Sequence, residues 1–526
     1  MNISTFINNR NIRNSLLIVL LIFLFTLTAD FGISYDEFWY RDVGFAVLNF
    51  LGESFFPEKI AEIKVSRNID YFTLQKIIET APIGFKLQHT IYGAIEYLFL
   101  DKSEKISVFL LRHYLNFTMS CLMFCTFYKI LRLKFDKILS AIGLLMVILS
   151  PKIFSHYYFN PNDIWAFFSA SLVVYFSLYF LKKNKVKYFY FLSFALAFSI
   201  NTRLIFIYLY PVFLFFFFLK NKNFINISIY KKILFQFLLF AFFLYIITPE
   251  LWISIFSIFN TFINQISFSA DSFLHFNGEY IRSSQLPNYY TFVWILISTP
   301  TIYLIAFISG LVRYLINFKN NTLDLNFIFL FILIPIFAIL VMKPNLFNGW
   351  RHFYFLNLGI IYFSVYGIEY FLRKIKKEKI KFFFIFGIFL YLLNISNWMI
   401  QNHPYQHVFF NYLSKAKYQK FDLDYWGLSN FEALNYIIDN SNLNQKIVKV
   451  KAIGESRIIY AYQILSKESQ KKIKILKRNN ILDADFYITN LHNGKNKDYY
   501  LSEGFIILKE IKVDNFAINL IMKKPN

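Results

Sequence analysis

The sequence predicts an α-helical protein that crosses a membrane many times and ends in a small α/β domain. Composition is the first observation behind this prediction: of 526 residues, 57% are hydrophobic, 21% aromatic and only 17% charged. Soluble proteins are about half apolar and a quarter charged, so the chain falls outside the soluble class. Few glycines, prolines and charges also argue against disorder. The other two observations are the long apolar runs and the placement of basic residues between them.

Long apolar runs occur about eleven times before residue 400. A hydrocarbon core about 30 Å thick requires roughly 17–25 apolar residues per helix. Strands of a membrane barrel alternate apolar and polar residues, whereas these runs are apolar throughout, so we predict helices. Several runs are short, and we expect their helices to extend into the flanks. The predicted spans are residues 16–29, 106–128, 138–154, 164–181, 188–200, 204–219, 233–247, 291–312, 327–341, 353–372 and 382–399.

Basic residues give the orientation. The formal net charge of +23 would indicate nucleic-acid binding if it covered a soluble face. Instead, 20 basic residues lie in five loops, whereas loop 155–162 has none and loop 250–290 has only Arg282. Cytoplasmic loops collect Lys and Arg, so we predict a cytoplasmic N-terminus and an extracytoplasmic C-terminal domain. The five basic loops are residues 129–137, 182–187, 220–232, 313–319 and 373–381.

This pattern is typical of a multi-pass membrane protein with membrane lipids and no nucleic acid as partners, and we expect it in the bacterial inner (plasma) membrane. Arg10 and Arg13 precede the first apolar run, as in a signal peptide. No small-residue cleavage site follows, so we expect an uncleaved anchor.

Two large pieces are expected outside the membrane. The first outer loop spans residues 32–105 and contains an apolar stretch at 83–100 that we interpret as a juxtamembrane or half-inserted helix. The second piece, residues 401–526, follows the transmembrane domain of residues 1–400. It alternates strand-like runs with helix-like runs, which predicts a small α/β domain. The strand-like runs are 447–453, 486–489, 505–511 and 516–521, and the helix-like runs are 430–439 and 457–465.

Ionisable residues gather at the predicted outer face. Each lies at the membrane edge in an outer loop or turn, and such residues at membrane level commonly mark a functional site. A carboxylate pair among aromatic neighbours is also where burial would raise a pKa towards the range of a general base. The residues are Asp36, Glu37, Lys152, His156, Asp163, Arg203, Arg351 and His352.

This set of residue types suits a phosphate group and a hydroxyl or amine. Arginine binds phosphate oxygens bidentately, and lysine and histidine add positive charge. A phosphate departs as an anion that cations stabilise, and a carboxylate can remove the proton of the incoming group. We therefore predict glycosyl transfer from a lipid-linked sugar phosphate at the outer membrane–water boundary. Arg203, Arg351, His352, Lys152 and His156 are the predicted donor-phosphate ligands.

At these residues the chain resembles a GT-C-type integral-membrane glycosyltransferase, and most of all glycosyltransferase family 39, which includes protein O-mannosyltransferases and aminoarabinose transferases. The resemblance implies a polyprenyl-phosphate sugar donor and inversion at the anomeric carbon. It also implies that Asp36 is the catalytic base, with Glu37 supporting it or contacting the acceptor.

A narrower resemblance, to bacterial membrane proteins of this group, covers most of the chain in short segments. Lys86-Leu87-Gln88-His89 stands where the family has a His-Pro-Pro-Leu-like stretch, so mannose is not implied, and the acceptor can be a lipid, a glycan or a protein. The segments are FSHYYFNPND at 154–163, NTR at 201–203, LPNYY at 286–290, NGWRH at 348–352, HPY at 403–405, FN at 410–411 and LDYWGLS at 423–429.

Polar and aromatic residues of these segments are candidate substrate ligands. Those at the start of the C-terminal domain have two interpretations. They contact sugar or acceptor, since aromatic faces stack on sugars and Asp binds hydroxyls, or they form a structural linker. The candidates are Asn160, Asp163, His89, His403, Asp424, Tyr425 and Trp426.

Nucleotide and metal chemistry have no clear motif in this chain. No phosphate-binding loop, dinucleotide fingerprint or kinase motif is present, so an activated substrate must arrive without nucleotide machinery. No local spacing of metal-ligand type stands out. Some proteins of the resembling fold class use divalent cations, so a divalent cation stays possible.

Two other functions are compatible with part of this pattern. A transporter or flippase of lipid-linked glycans would use basic residues without a base, but such proteins tend to have inverted repeats, and none is evident. An assembly scaffold acting through the C-terminal domain would leave the outer cations unexplained.

Overall fold

The computed structural model describes residues 10–55, 87–100, 105–221, 227–266, 272–441, 447–454, 456–476, 484–492 and 495–525. These residues are mostly helical, and a small sheet lies at the C-terminal end. The predicted α-helical polytopic class with a C-terminal α/β domain is therefore confirmed. Residues 56–86 of the first outer loop, including the start of the predicted juxtamembrane stretch, lie outside the described residues.

The helices up to residue 401 overlie all eleven predicted spans. They are α1 (Arg10–Thr26), α2 (Asp36–Phe55), α3 (Leu87–Phe99), α4 (Lys105–Arg132), α5 (Lys137–Ile148), α6 (Pro151–Phe154), α7 (His156–Phe159), α8 (Pro161–Lys183), α9 (Val186–Thr202), α10 (Leu209–Lys220), α11 (Ile227–Ile247), α12 (Glu250–Ile253), α13 (Ser257–Ile266), α14 (Tyr290–Ser298), α15 (Thr301–Ile316), α16 (Leu323–Met342), α17 (Leu356–Lys374) and α18 (Glu378–Gln401). Helices α2 and α3 belong to the first outer loop, where α3 overlies the predicted juxtamembrane stretch.

Length and composition qualify some of these helices as membrane spans. Within the described residues, α4, α8, α11, α16 and α18 are each long and apolar enough to cross a membrane, and the count rises from five to seven if two bent helix pairs each form one span. Shorter apolar helices occur at Ile18–Asp30 and Leu204–Lys220. These helices confirm the prediction of an integral membrane protein.

Two of the predicted spans each consist of more than one helix, with a bend between them. The axis turns by 64° between α5 and the residues of α6 and α7, and by 118° between α14 and α15. Pro151 and Pro300 stand at the two breaks. Proline lacks an N–H group and disfavours helical geometry in the residue before it, so each break has a local cause.

Close helix packing forms the transmembrane core. Gly310 of α15 lies against the backbone of α17, and a Cβ added there would be 2.0 Å from the Phe363 carbonyl oxygen. Gly367 of α17 faces Ala306 in the same way, at 2.2 Å. The absence of a side chain at both glycines lets the two helices approach closely, as in other membrane helix pairs.

A lysine cluster, consisting of Lys134, Lys182, Asp324 and Tyr362, joins three predicted cytoplasmic loops. The Asp324 carboxylate lies 3.0 Å from the Lys182 ammonium and 3.6 Å from that of Lys134. The Tyr362 hydroxyl donates a hydrogen bond of 2.6 Å to the same carboxylate. Since these loops meet in space, they lie at one end of the helical bundle, in agreement with the predicted alternation of loops.

The C-terminal domain contains a five-stranded sheet flanked by short helices. Its strand order is β4-β3-β5-β7-β6, in which β3 runs parallel to β4 and β5, and β7 runs antiparallel to β5 and β6. The four predicted strands are confirmed as β3, β5, β6 and β7, while β4 was not predicted. The elements are α19 (Ser429–Asn440), β3 (Val448–Ala452), α20 (Ile458–Gln463), α21 (Lys467–Lys472), β4 (Ile473–Ile475), β5 (Phe486–Thr489), α22 (Lys497–Ser502), β6 (Ile506–Val513) and β7 (Phe516–Lys523).

Polar contacts fix this domain to the membrane helices. The indole N–H of Trp398, near the end of α18, lies 2.8 Å from the carboxylate of Asp514 between β6 and β7. The Asp514 backbone N–H donates to the side chain of Asn402, and the Tyr418 hydroxyl donates to the Asp514 carboxylate. The position of the domain above the bundle is therefore defined by direct bonds.

An unpredicted hairpin from the predicted outer loop 250–290 also contacts the C-terminal segment. It consists of β1 (Phe273–Phe276) and β2 (Glu279–Arg282), which pair antiparallel. The backbone of His275 exchanges hydrogen bonds with Asp422, and the Gly278 N–H donates to the Lys420 carbonyl. The hairpin thus holds the chain that precedes Tyr425 and Trp426.

Candidate active site

Asp163 lies in the first turn of α8, at the end that faces the C-terminal domain. The side chain of Asn160 caps this helix by accepting a hydrogen bond from the Asp163 N–H, and Pro161 occupies the first helical position, where proline is favoured. The Asn160 amide also donates to the Asp163 carboxylate at 2.6 Å. Asp163 is buried, so its charge requires partners.

Two arginines supply those partners. Arg203 stands at the break between α9 and α10, where its guanidinium forms an ion pair with Asp163 and donates to the His352 carbonyl. Arg351 lies in the turn before α17, and its Nη1 is 3.9 Å from the other Asp163 oxygen. The same Nη1 is 3.6 Å from Asp36 Oδ2. Four charged residues from distant parts of the sequence, Asp36, Asp163, Arg203 and Arg351, thus form one arginine cluster.

Asp36 is the first residue of α2 and faces this cluster. The Tyr40 hydroxyl, one turn further along α2, donates to Asp36 Oδ2 at 3.2 Å. Burial raises the pKa of Asp36 above its ordinary value, although Arg351 and the Tyr40 hydroxyl hold it down. Burial would lower the pKa of Arg351, but the carboxylates of Asp163 and Asp36 raise it, so Arg351 stays charged. The arrangement combines a buried carboxylate with a guanidinium that stays charged.

Glu37 points away from the arginine cluster. One carboxylate oxygen accepts the Ser34 N–H at 2.8 Å, and the other accepts from His113 Nε2 at 2.7 Å. Both side chains are buried. The structure therefore separates the predicted catalytic pair, because Asp36 faces Arg351 while Glu37 faces α4.

Aromatic side chains of the C-terminal domain cover the arginine cluster. The Arg351 guanidinium lies 4.6 Å above the ring of Trp426, in cation–π geometry. Tyr35 packs against both Tyr425 and Trp426, and Arg457 lies 4.5 Å above the Tyr35 ring. Tyr425 and Trp426 thus form one wall of the predicted site.

Two buried N–H groups at this wall have no hydrogen-bond acceptor within the described part of the chain. They are Nε of Arg351 and Nε1 of Trp426. Each can only donate, and an unpaired buried donor costs about 1–3 kcal/mol. Both groups would be satisfied by the oxygens of a bound ligand.

The other predicted phosphate ligands are engaged elsewhere. His156 uses both ring nitrogens, with the Asn160 amide at 2.9 Å and the Tyr354 hydroxyl at 3.2 Å. The buried Lys152 ammonium lies 4.6 Å above the ring of Trp294. Its position against Trp294 sets it apart from the arginine cluster. Burial and the two cluster arginines lower the pKa of His352 well below its ordinary value, so His352 is neutral at pH 7 and contributes no cation.

His89 contacts Tyr40 and Asn162 beside the site. Its ring stacks on Tyr40 with centroids 4.6 Å apart, and its Nε2 lies 2.7 Å from the side-chain oxygen of Asn162. The Gln88 amide donates to that same oxygen at 2.9 Å. Since Tyr40 contacts Asp36, His89 is linked to the predicted base through Tyr40.

His403 contacts the transmembrane domain, whereas the hydrogen bonds of Asp424 lie within the C-terminal domain. His403 bonds to Asp30 at 2.9 Å and accepts from Gln406, at a distance from the arginine cluster. The Asp424 carboxylate accepts both from the backbone at the start of α19 and from Ser429 and His407. Burial would raise the pKa of Asp424, but these hydrogen bonds lower it. The contacts favour the linker interpretation for both residues.

Several residues of this site were not predicted. Tyr40, Tyr35 and Arg457 contact the predicted residues, but only the i to i+4 spacing of Asp36 and Tyr40 on a helix could have indicated one of them.

Metal ligation has no obvious place: within the described residues, no three His, Cys, Asp or Glu side chains are grouped to hold a metal ion.

Comparisons with known proteins bear on this site. Residues 107–253 match the family model of dolichyl-phosphate-mannose-protein mannosyltransferase, a stretch that includes Lys152, His156, Asp163 and Arg203. The match confirms the predicted resemblance to this glycosyltransferase group over those residues. No curated protein sequence matches the chain.

Solved structures of low sequence identity also align with the chain. ArnT from Cupriavidus metallidurans in the apo state is 10% identical over 96% of both chains, with a TM-score of 0.48. The same protein bound to undecaprenyl phosphate is 10% identical over 97% of both chains, with a TM-score of 0.47. The Archaeoglobus fulgidus oligosaccharyltransferase is 10% identical over 89% of this chain and 65% of its own, with a TM-score of 0.46.

Proposed function

We propose that the chain is an inverting membrane glycosyltransferase that moves a sugar from a polyprenyl-phosphate donor to an acceptor outside the cytoplasm. The observation that carries this proposal is the convergence of Asp36 and Asp163 on Arg351, with Arg203 beside them. The family match to mannosyltransferases that use a lipid phosphate supports the donor class. The acceptor class stays open among lipids, glycans and proteins, and a divalent cation stays possible.

Arg351 and Arg203 are proposed to hold the donor phosphate. Arg351 has an unpartnered buried Nε, and Trp426 offers a second unpartnered N–H beside it. Arg351 is 11% exposed at its side chain and Arg203 21%, so both combine partial desolvation with access. Cations in a partly dry site stabilise a departing phosphate more strongly than they would in water.

Asp36 is proposed to act as the base. Its carboxylate takes the proton of the acceptor hydroxyl or amine while the acceptor atom bonds to the anomeric carbon. The bond between that carbon and the phosphate oxygen breaks, and its electron pair leaves with the polyprenyl phosphate. A single displacement inverts the anomeric configuration, whereas retention would need a second carboxylate as nucleophile. The two nearby candidates, Asp163 and Glu37, are already engaged by protein groups.

The test is transfer by the purified full-length protein in lipid nanodiscs, supplied with a panel of undecaprenyl-phosphate sugars and envelope extract. Release of undecaprenyl phosphate and labelled product are both measured. Asp36→Asn should reduce the rate by roughly 10²–10⁴-fold, the usual contribution of a general base. The exposed Asp439 provides a matched control, and Asp439→Asn should leave the rate unchanged.

Two outcomes would overturn the proposal. Equal transfer by wild type and Asp36→Asn would remove the base assignment. Counterflow of labelled lipid across proteoliposomes without any covalent product would instead identify a transporter or flippase.

A further inference from the structure

Helix α2, which begins with Asp36, is fastened to α4 by a buried contact in its first turn. His113 of α4 and Glu37 are 2.7 Å apart, and each side chain is 4% exposed. The other Glu37 oxygen accepts the N–H of Ser34, just before the helix. Each oxygen of this carboxylate therefore accepts a hydrogen bond from the protein.

A second buried contact lies one turn further along α2. Arg41 donates to one oxygen of Glu96 on α3 through Nε at 2.9 Å and Nη2 at 2.6 Å. Arg112 of α4 donates to the other oxygen in the same two-pronged way, at 3.0 and 2.8 Å. Arg112 precedes His113 directly, so neighbouring residues of α4 bind Glu37 of α2 and Glu96 of α3, which is the partner of Arg41. We call Glu37, His113, Arg41, Glu96 and Arg112 the α2 clamp.

Electrostatics and packing both make the clamp stiff. Burial would raise the pKa of Glu96, but Arg112 and Arg41 lower it, so the carboxylate is ionised at neutral pH. Hydrogen bonds between charged groups are about twice as strong as those between neutral groups. A Cβ on Gly44 of α2 would lie 2.1 Å from the His89 carbonyl oxygen, so α2 and α3 touch at the backbone. Helix α2 therefore has little freedom to slide or to roll about its axis.

The direction of the Asp36 side chain depends on the rotation of α2. Its hydrogen bond comes from Tyr40 on the same helix, and its ion pair with Arg351 spans 3.6 Å. Consecutive residues on a helix point about 100° apart, so a roll of α2 that displaced Glu37 would also turn Asp36. A displacement of about 1 Å at a reacting group can cost about 10²-fold in rate.

We propose that Glu37 is a positioning residue, which holds α2 through His113 in the rotation that directs Asp36 at Arg351. The inference rests on the proposed function, because that proposal makes Asp36 the base. It assigns different tasks to two adjacent carboxylates: one faces the reaction and the other fixes the helix that carries it.

The experiment compares Glu37→Ala with Glu37→Gln in the full-length protein in nanodiscs. Hydrogen–deuterium exchange of peptides from Asp36–Phe55 is measured beside kcat and the KM for the undecaprenyl-phosphate sugar. Glu37→Ala should raise exchange in α2 and lower kcat about 10²-fold, with the KM within about twofold. The amide of Glu37→Gln can still accept from Ser34 and bond to His113, so exchange and kcat should return to within about threefold of wild type.

Glu53→Ala, at the exposed end of the same helix, is the matched control and should change neither measurement. Unchanged exchange in Glu37→Ala would overturn the clamp. A Glu37→Gln variant as inactive as Asp36→Asn would show that Glu37 takes part in the chemistry. Exchange does not require turnover, so absence of transfer by the wild type would refute the proposed function while the exchange data still decide the clamp.

Discussion

Two charged clusters lie at opposite ends of helix α8 and use their charges differently. Asp163, in the first turn, belongs to the arginine cluster, and Lys182, in the last turn, belongs to the lysine cluster. Nineteen residues separate the two, which corresponds to roughly 28 Å along a helix. One helix thus links the ion pairs of the predicted outer and cytoplasmic faces.

The lysine cluster is internally complete. Asp324 is surrounded by two ammonium groups and a tyrosine hydroxyl, while Lys134 also donates to Thr322 and Lys182 donates to the Leu133 carbonyl. Every donor named here has a protein acceptor. Such a group fastens helices together and needs nothing from outside.

The arginine cluster is incomplete by comparison. Within the described residues, Nε of Arg351 and Nε1 of Trp426 are buried without an acceptor, although both groups are close to Asp36 or to its ion-pair partner. Charged groups that are only partly satisfied are expected where a ligand completes them. Under the proposed function, the difference separates a group that stabilises the bundle from a group that acts on a substrate.

Removing the centre of the lysine cluster is expected to give the largest effect on stability. Asp324→Ala leaves two lysines beside each other without their carboxylate. Breaking a buried ion pair costs about 3–5 kcal/mol in the free energy of unfolding. Because Lys182 is 25% exposed, we expect a loss at the lower end of this range. Thermal unfolding in detergent should show it as a lower Tm, with the turnover of the remaining folded protein unchanged.

The exposed pair Glu378–Lys381 supplies the control, since Glu378 is 83% exposed. Glu378→Ala should alter stability by less than about 1 kcal/mol. If Asp324→Ala lowers turnover per folded molecule as strongly as an Asp36 variant does, the division of roles between the clusters is wrong.

Arg351→Met is expected to give the largest effect on transfer after Asp36→Asn. The change removes the cation shared by both carboxylates and the proposed phosphate ligand. Loss of one group that stabilises developing charge costs about 10²–10³-fold in kcat. Arg351→Lys should recover only part of the rate, because an ammonium lacks the planar fork of a guanidinium.

Arg373, 76% exposed in the last turn of α17, is the matched arginine, and Arg373→Met should transfer at the wild-type rate. Full activity in Arg351→Met would exclude Arg351 from phosphate binding. A large drop in Tm in this variant would instead place the arginine cluster in the same stabilising class as the lysine cluster.

Tyr40→Phe should give the smallest effect, visible only in the pH profile. The Tyr40 hydroxyl helps to hold down a pKa that burial raises, so its removal raises the pKa of Asp36 further. A base must be deprotonated, and the acidic limb of kcat/KM should therefore move to higher pH while the rate on the alkaline plateau is kept. Tyr412→Phe, at a tyrosine 84% exposed, should leave the profile unchanged. A shift to lower pH would contradict the role of Asp36 as a base.

The sequence predicted the span positions and the strands of the C-terminal domain because these depend on local patterns. An apolar run that must satisfy its backbone in lipid forms a helix, and a short alternating run in a polar domain forms a strand. The bends before Thr301 and after Ile148 follow from Pro300 and Pro151, whose significance inside apolar runs was missed. The hairpin β1–β2 has weak local signals and owes its place to contacts with residues 420–422.

The candidate site was predictable only in outline. The alternation of basic loops placed Asp36, Asp163, Arg203 and Arg351 on one face, and the structure brings all four together. No local pattern indicated that the Asp36 and Glu37 side chains point in different directions, since both are acidic residues in the first turn of α2. Their partners, Arg351 and His113, are far along the chain, and only packing shows which carboxylate meets which partner.

The sequence by itself determined the class of the molecule, the positions of its helices and the side on which polar residues gather. These properties follow from the cost of exposing backbone and charge to lipid, which acts on each segment separately. Tertiary structure alone decided that Asp36 faces Arg351, that Glu37 fastens α2, and that Trp426 covers the site. Those outcomes depend on the rotation of each helix against its neighbours, and that rotation is set by contacts between residues tens to hundreds of positions apart.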